Sequence, residues 1–267
     1  MTYTSLFERI ELTKEFQIYE GSLESVFNEV ITILKKEIKS KRDYSILAFH
    51  PPRIIRALVD YKEEQPDSSK NIELLKEGIT TSLDIYSQYN HSSTIENVLA
   101  LREKLDEKIL KRIIKQQQDD INLVVSNPKF SQATANKLYE IINNKEAIMF
   151  VVGHGGTGPG LDVILRYREL SHQNNLEFYP VRFSRSEHKG YKDTKPCLTE
   201  TEIEYLRKEV MGKKVIVFDE NHNTGRNIRT VAEFISREIA PDQKVEMIYN
   251  VNTGIPGEWA ELYKRLK

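Results

Sequence analysis

Residues 215–227 constrain this 267-residue chain more than any other stretch. Four apolar residues at 215–218 precede the adjacent acids Asp219 and Glu220, and a Thr-Gly turn and a helical apolar pattern follow. This order is typical of a buried strand that delivers charged groups to the edge of a sheet. Open α/β sheets bind ligands in the crevice at the carboxyl ends of their strands. Acids suit hydroxyls or a metal ion, and a turn that opens a helix suits a phosphate. The stretch therefore predicts a ligand with sugar hydroxyls and a phosphate.

The composition excludes several classes of protein. The 39 basic and 40 acidic residues give a net charge of −1, whereas general nucleic-acid binding usually needs a clustered basic excess. No apolar run reaches the length of a membrane span, and residues 1–9 contain no apolar signal-peptide core. The one cysteine, Cys197, excludes an intrachain disulfide framework and fits a reducing compartment. We therefore expect a soluble, cytoplasmic protein with no membrane or nucleic-acid partner.

The chain changes its sequence pattern near residue 142. Residues 1–142 carry apolar stripes at helical spacing and predict a helical N-terminal region. Residues 143–267 alternate short apolar runs with helical patterns, which predicts βαβ units, a parallel sheet and an α/β fold. The predicted strands are residues 148–152, 178–183, 215–218 and 245–249.

Local signals refine this division. Within the helical region, His50, Pro51 and Pro52 are expected to begin a helix, and residues 44–49 could form a short strand. One capping box is predicted at Ser93 and Glu96 and another at Thr199 and Glu202, because each pair has the Ser/Thr-x-x-Glu pattern.

A glycine-rich turn at residues 152–160 follows the first predicted strand of the α/β part. Glycines let the backbone approach a ligand closely and direct N–H groups at an anion. Three of these glycines match the G-x-G-x-x-G dinucleotide pattern. That pattern also requires an acid at the end of the next strand, where this chain has Arg182 and Arg185. Phosphate or pyrophosphate contact is the expected use of the turn, and tight packing alone is the alternative.

The two segments together resemble type I phosphoribosyltransferases. Residues 215–228 look like the family's phosphoribosyl pyrophosphate (PRPP) binding motif, which has four apolar residues, two acids, a short connector, Thr-Gly and a helix. The glycine turn resembles the family's pyrophosphate loop, at the right order and spacing. The resemblance covers roughly residues 145–255 and implies a parallel-sheet domain of that family, preceded here by the helical region.

The resemblance implies a role for each matching position. Asp219 and Glu220 would hold the ribose 2′- and 3′-hydroxyls, directly or through Mg²⁺, as catalytic and metal-binding residues. Residues 184–196 would form a loop that closes over the reaction, with a plain solvated basic loop as the alternative. The catalytic cations of that loop would be Arg185 and Lys189. The 5′-phosphate would be bound by Asn223, Thr224, Gly225, Arg226 and Asn227. The pyrophosphate would be bound by Gly153, His154, Gly155 and Gly156.

The implied activity is transfer of ribose 5-phosphate from PRPP to a nucleobase or related small nitrogen compound, with release of pyrophosphate. Asn221 and His222 depart from the family, which usually has apolar residues there, and Asn223 stands where some members have an acidic base. These departures favour an alternative, a non-catalytic PRPP- or nucleotide-binding regulatory module whose helical region contacts a protein partner. A dinucleotide-binding domain is a third hypothesis. The resemblance also allows a homodimer, and it leaves the nucleobase-reading segment to the helical region or to residues 250–259.

Overall fold

The computed structural model describes residues 3–10, 18–116, 125–153, 155–184, 193–222 and 224–254. The chain forms two compact units, Met1–Leu123 and Val124–Lys267. The helix Pro128–Ile142, which the sequence pattern groups with the helical region, lies in the second unit because it packs on a helix and a strand of the α/β part. None of the described helices is both long enough and apolar enough to cross a membrane.

The first unit is mainly helical. Two short strands, β1 (Tyr19–Ser22) and β2 (Ile113–Gln116), pair in antiparallel orientation. Ile113 continues an apolar stripe at helical spacing with Val98, Leu101, Leu105 and Ile109, which predicts a helix there, whereas the structure has a strand. The α4 helix begins at Ser92 without a side-chain cap, so the predicted capping box at Ser93 is wrong. The helices are α1 (Leu23–Leu34), α2 (Lys41–Glu64), α3 (Ser69–Gln88), α4 (Ser92–Lys104) and α5 (Glu107–Leu110), and a 3₁₀ turn spans Leu6–Glu8.

Helix α2 continues through Pro51 and Pro52, where the sequence predicts a helix start, and it includes residues 44–49, where the sequence allows a short strand. Proline has no N–H, so Pro52 leaves the carbonyl of Ala48 without its usual helical donor. The hydroxyl of Tyr86, on α3, donates a short hydrogen bond to this carbonyl. The helix therefore persists because a neighbouring helix supplies the missing donor.

Replacing Tyr86 with Phe is expected to lower the free energy of unfolding by about 1–3 kcal/mol, because it leaves the buried Ala48 carbonyl without a donor. Urea denaturation of the full chain measures this change. The control is Tyr44→Phe, since the Tyr44 hydroxyl has no hydrogen-bond partner among the described residues; its effect should stay within about 0.5 kcal/mol. Equal losses in both variants would contradict the role given to Tyr86.

The second unit is an α/β fold with a four-stranded sheet, as the strand-helix alternation predicted. All three strand pairings are parallel, and the order in the sheet is β4 (Leu176–Val181), β3 (Ala147–Val152), β5 (Lys214–Asn221) and β6 (Val245–Val251). The predicted capping box of Thr199 and Glu202 is confirmed at the start of α8. In chain order the elements are α6 (Pro128–Ile142), β3 (Ala147–Val152), α7 (Thr157–Ser171), β4 (Leu176–Val181), α8 (Glu200–Glu209), β5 (Lys214–Asn221), α9 (Arg226–Glu238) and β6 (Val245–Val251).

The strand order creates a topological switch point between β3 and β5. From β3 the chain crosses to β4 on one side, and from β5 it crosses to β6 on the other. Right-handed crossovers in opposite directions put α7 and α9 on opposite faces of the sheet, which opens a crevice between the carboxyl ends of β3 and β5. Val151 lies opposite Phe218 in the register. The glycine turn and the acid pair therefore emerge side by side.

Candidate functional site

The acid pair lies at the carboxyl end of β5. The side chain of Asp219 is buried, with 7% of the residue exposed, and Glu220 is half-buried. The Oε2 atom of Glu220 is buried and has no hydrogen-bond partner among the described residues. A buried carboxylate oxygen without a donor costs free energy. This oxygen therefore marks a position where a ligand hydroxyl or a cation would be stabilising.

The glycine turn packs directly against this acid. A Cβ atom on Gly156 would lie 3.2 Å from the Glu220 Oε2 atom and 2.9 Å from the carbonyl oxygen of Val152. Gly153 has a φ of +62°, in the left-handed region that favours glycine. The structure thus brings Gly156 to Glu220, and Gly155 lies half-buried between the two glycines. His154 lies outside the described residues.

Two helices begin in the crevice, and each has a glycine as its N-cap residue, which has no side chain to cap the helix. Helix α7 follows Gly156, and helix α9 follows Gly225. The α8 helix, which begins elsewhere in the same unit, has its complete capping box. Uncapped helix N-termini present free N–H groups and the positive end of the helix dipole, and both favour an anion. The crevice therefore has an anion-favouring helix start on each side of the acids.

The turn before α9 is held by an arginine that the motif does not contain. The guanidinium of Arg229 donates to the carbonyl oxygen of Thr224 at 2.6 Å, so its charge lies beside the turn. The Arg226 N–H donates a long hydrogen bond, 3.4 Å, to the Thr224 hydroxyl. Thr224 and Arg226 are exposed and Asn227 is half-buried; Asn223 lies outside the described residues. Only the helical spacing of Arg229 from the turn could have indicated its position.

A stacked aromatic pair lies beside the same turn. The His222 ring stacks on Tyr249 of β6, with a centroid distance of 4.7 Å and an interplanar angle of 28°. A Cβ atom on Gly225 would lie 2.2 Å from the His222 Nε2 atom, so the ring packs against the turn. Lys137 of α6 places its Nζ atom 5.8 Å from the Tyr249 ring centroid. Sequence reasoning missed Tyr249 and Lys137, because no local motif links them to His222.

The basic loop predicted to carry catalytic cations is described only at its ends. The Asp193 N–H donates to the Ser184 carbonyl and the Ser184 N–H donates to the Asp193 carboxylate, both at 2.9 Å. Phe183 directly precedes Ser184, and a Cβ atom on Gly153 would lie 3.3 Å from the carbonyl oxygen of Phe183. The loop therefore starts and ends beside the glycine turn. The candidate cations Arg185 and Lys189 lie outside the described residues.

Asp193 organises the base of this loop. Its carboxylate forms an ion pair with Arg182 at 3.5 Å and accepts a hydrogen bond from the Cys197 thiol at 3.3 Å. Burial raises the pKa of the Cys197 thiol to about 11. The thiol therefore stays protonated near neutral pH, which makes it a structural donor and a poor nucleophile.

Within the described residues, no cluster of three or more His, Cys, Asp or Glu side chains could hold a metal. Mg²⁺ commonly binds one or two carboxylates and completes its shell with ligand oxygens and water. Asp219 and Glu220 supply such hard oxygen ligands, and the Glu220 Oε2 atom has no protein partner in the described part of the chain. The acid pair therefore fits a Mg²⁺ ion shared with a ligand.

The crevice combines carboxylates for hydroxyls or a cation with two glycine turns and two helix N-termini for anions. No protein-family model, curated protein or solved structure matches the chain.

Proposed function

We propose that the second unit is a phosphoribosyltransferase that binds magnesium-bound PRPP and transfers ribose 5-phosphate to a nucleobase or related nitrogen acceptor, with release of pyrophosphate. One observation carries this proposal. The acid pair and two anion-favouring turns meet at a single switch point, where Glu220 Oε2 lies 3.2 Å from the Cβ position of Gly156. PRPP needs all three groups, because it carries vicinal hydroxyls, a 5′-phosphate and a pyrophosphate.

In this proposal each part of PRPP binds a different element of the crevice. The ribose hydroxyls would contact Asp219 and Glu220, at the end of β5. The 5′-phosphate would lie on the turn before α9, and the pyrophosphate on the glycine turn before α7. Adjacent strands lie roughly 4.8 Å apart, so turns on β3 and β5 are within reach of one small ligand. The anomeric carbon would then lie between the acid pair and the glycine turn.

The chemistry that follows is a substitution at the anomeric carbon. The bond to pyrophosphate breaks, its electron pair leaves with the pyrophosphate oxygen, and the acceptor nitrogen forms a bond to the same carbon. The proton of the acceptor nitrogen passes to solvent water. The carboxylates of Asp219 and Glu220 would stabilise the positive charge that develops on the ribose ring. The N–H groups of the glycine turn would stabilise the departing pyrophosphate. Mg²⁺, when bound, would supply further charge neutralisation. Positioning and electrostatic stabilisation thus account for most of the rate enhancement.

Two measurements on the full chain test the proposal. Calorimetry with PRPP and Mg²⁺ measures binding, and pyrophosphate release with a panel of nucleobases measures turnover. We expect both. Binding without turnover on any base would instead support the non-catalytic regulatory module that Asn221, His222 and Asn223 favour. An absence of PRPP binding would overturn both hypotheses.

Arg229 offers a narrower test of the phosphate site. Arg229→Gln is expected to weaken ribose 5-phosphate binding about ten- to a hundredfold, because it removes a cation beside the turn and its hydrogen bond to Thr224. The matched control is Arg237→Gln on the same helix, whose guanidinium pairs with Glu238. Calorimetry should show no change in the control. If the two variants bound ribose 5-phosphate with equal affinity, the role of Arg229 in phosphate binding would be refuted.

A further inference from the structure

Asn221 ends β5 directly after the acid pair, and its amide is held by a residue that follows β6. The hydroxyl of Thr253 donates to the Asn221 Oδ1 atom at 2.7 Å. Asn221 also lies opposite Val251 in the register of the two strands. In turn, the Asn252 Oδ1 atom accepts the Gly254 N–H at 3.0 Å, which shapes the turn that carries Thr253. The Asn221 side chain therefore has a fixed orientation.

This orientation determines which hydrogen-bonding group Asn221 presents. Because its Oδ1 atom accepts from Thr253, the Nδ2 amino group lies on the other side of the amide and offers two donors. No described residue accepts a hydrogen bond from this amino group, and Asn221 is only half-buried. The end of β5 thus presents a preoriented donor on the residue that follows the two carboxylates.

The strand order indicates which part of the substrate would meet this donor. The glycine turn of β3, which would bind the pyrophosphate, lies on one side of β5, whereas β6 and Thr253 lie on the other. An acceptor that displaces pyrophosphate in line must approach from the side opposite the leaving group. On the proposed function, Asn221 therefore lies on the acceptor's side of the crevice.

We infer that Asn221 is a specificity-determining residue that selects a keto nucleobase, one with a carbonyl oxygen where cytosine and adenine carry an amino group. This inference rests on the proposed function. The Nδ2 group can donate a hydrogen bond to the carbonyl oxygen of a keto base. With an amino base, two donors would face each other and neither would have an acceptor. Thr253 is a positioning residue, because it fixes which end of the Asn221 amide is presented.

The test compares UMP with CMP and IMP with AMP, two pairs in which an amino group replaces the carbonyl oxygen and the adjacent ring nitrogen loses its proton. Calorimetry on the full chain should show the keto member of each pair binding about tenfold more tightly, as expected for one hydrogen bond between partly exposed groups. Asn221→Asp replaces the donor with an acceptor and should reverse the preference. Thr253→Val should remove the preference, and Thr253→Ser should restore it.

Control variants distinguish a loss of nucleobase recognition from the effect of an added charge and from a loss of folding. Asn252→Asp adds the same charge to the neighbouring turn and can still accept the Gly254 N–H, so it should keep the keto preference. Asn221→Leu should abolish the preference without reversing it. Ribose 5-phosphate should bind the Asn252 and Thr253 variants within about threefold of the unchanged chain, which reports an intact site, and urea denaturation of the Asn221 variants reports their fold.

The possible failures are distinguishable. If ribose 5-phosphate binds but the keto and amino nucleotides bind equally, or Asn221→Asp keeps the keto preference, the role of Asn221 is overturned and the proposed function stands. If neither ribose 5-phosphate nor PRPP binds the unchanged chain, the proposed function is overturned, and this inference with it.

Discussion

Replacing Asp219 with Asn and Glu220 with Gln together is expected to abolish PRPP binding, with a loss of at least about a hundredfold. Charge-assisted hydrogen bonds contribute about 1.5–3 kcal/mol each, and the two amides retain the shape of the site without its negative charge. They would also be weaker ligands for Mg²⁺. Calorimetry with PRPP and Mg²⁺ measures the loss.

Glu220→Gln by itself should not destabilise the protein. The Glu220 Oε2 atom is buried and accepts no hydrogen bond from any described residue, so its charge stabilises no described contact. The free energy of unfolding should therefore stay constant or rise by about 1 kcal/mol. A substitution that weakens ligand binding but keeps or raises the free energy of unfolding is typical of a binding site. It is not expected of a structural ion pair.

A charge-matched control completes the experiment. Asp242→Asn with Glu246→Gln removes the same two charges near the start of β6, at the opposite edge of the sheet. Glu246 pairs there with the exposed Lys244, an arrangement that contributes little to stability. PRPP affinity should be unchanged in this control. Unchanged affinity in the Asp219 and Glu220 variant as well would refute the assignment of the acids to the ribose.

The α/β part could be predicted from the sequence because its signals are local. Short apolar runs bounded by turns indicated all four strands of the sheet, although the edges shifted; the strand predicted at 178–183 is Leu176–Val181. The capping box at Thr199 was visible for the same reason, since both partners lie within one helical turn. The register of β3 and β5 then juxtaposed the two motifs without any further signal.

The features that could not be predicted depend on partners distant in the chain. A proline at a position such as 52 ends most helices. Helix α2 continues because the Tyr86 hydroxyl, on another helix, donates to the carbonyl that Pro52 leaves without a donor. Likewise, the contacts of His222 with Tyr249 and of Asn221 with Thr253 join segments on different strands. Sequence periodicity indicates which residues share a face of a helix or strand. It contains no information on which donor reaches which acceptor across the fold.

The second large effect is expected at Gly225, where Ala should both destabilise the protein and weaken phosphate binding. Gly225 has a φ of +66°, which costs an alanine about 1–2 kcal/mol. The added Cβ atom would also lie 2.2 Å from the His222 Nε2 atom and 2.8 Å from a guanidinium nitrogen of Arg229. Relief of these contacts must move the stacked His222 ring and the cation beside the turn. We expect a total loss of about 2–3 kcal/mol in stability.

Gly212 provides the control that separates backbone strain from the local clash. It has a φ of +74°, and a Cβ atom there would meet nothing within 4 Å. Gly212→Ala should therefore lose about 1–2 kcal/mol of stability from strain alone and keep its full affinity for ribose 5-phosphate. Gly225→Ala should bind ribose 5-phosphate at least about tenfold more weakly, because the N–H groups and the guanidinium of the turn are displaced. Urea denaturation and calorimetry measure the two effects. If the two variants bound ribose 5-phosphate equally well, the phosphate could not lie on the turn before α9.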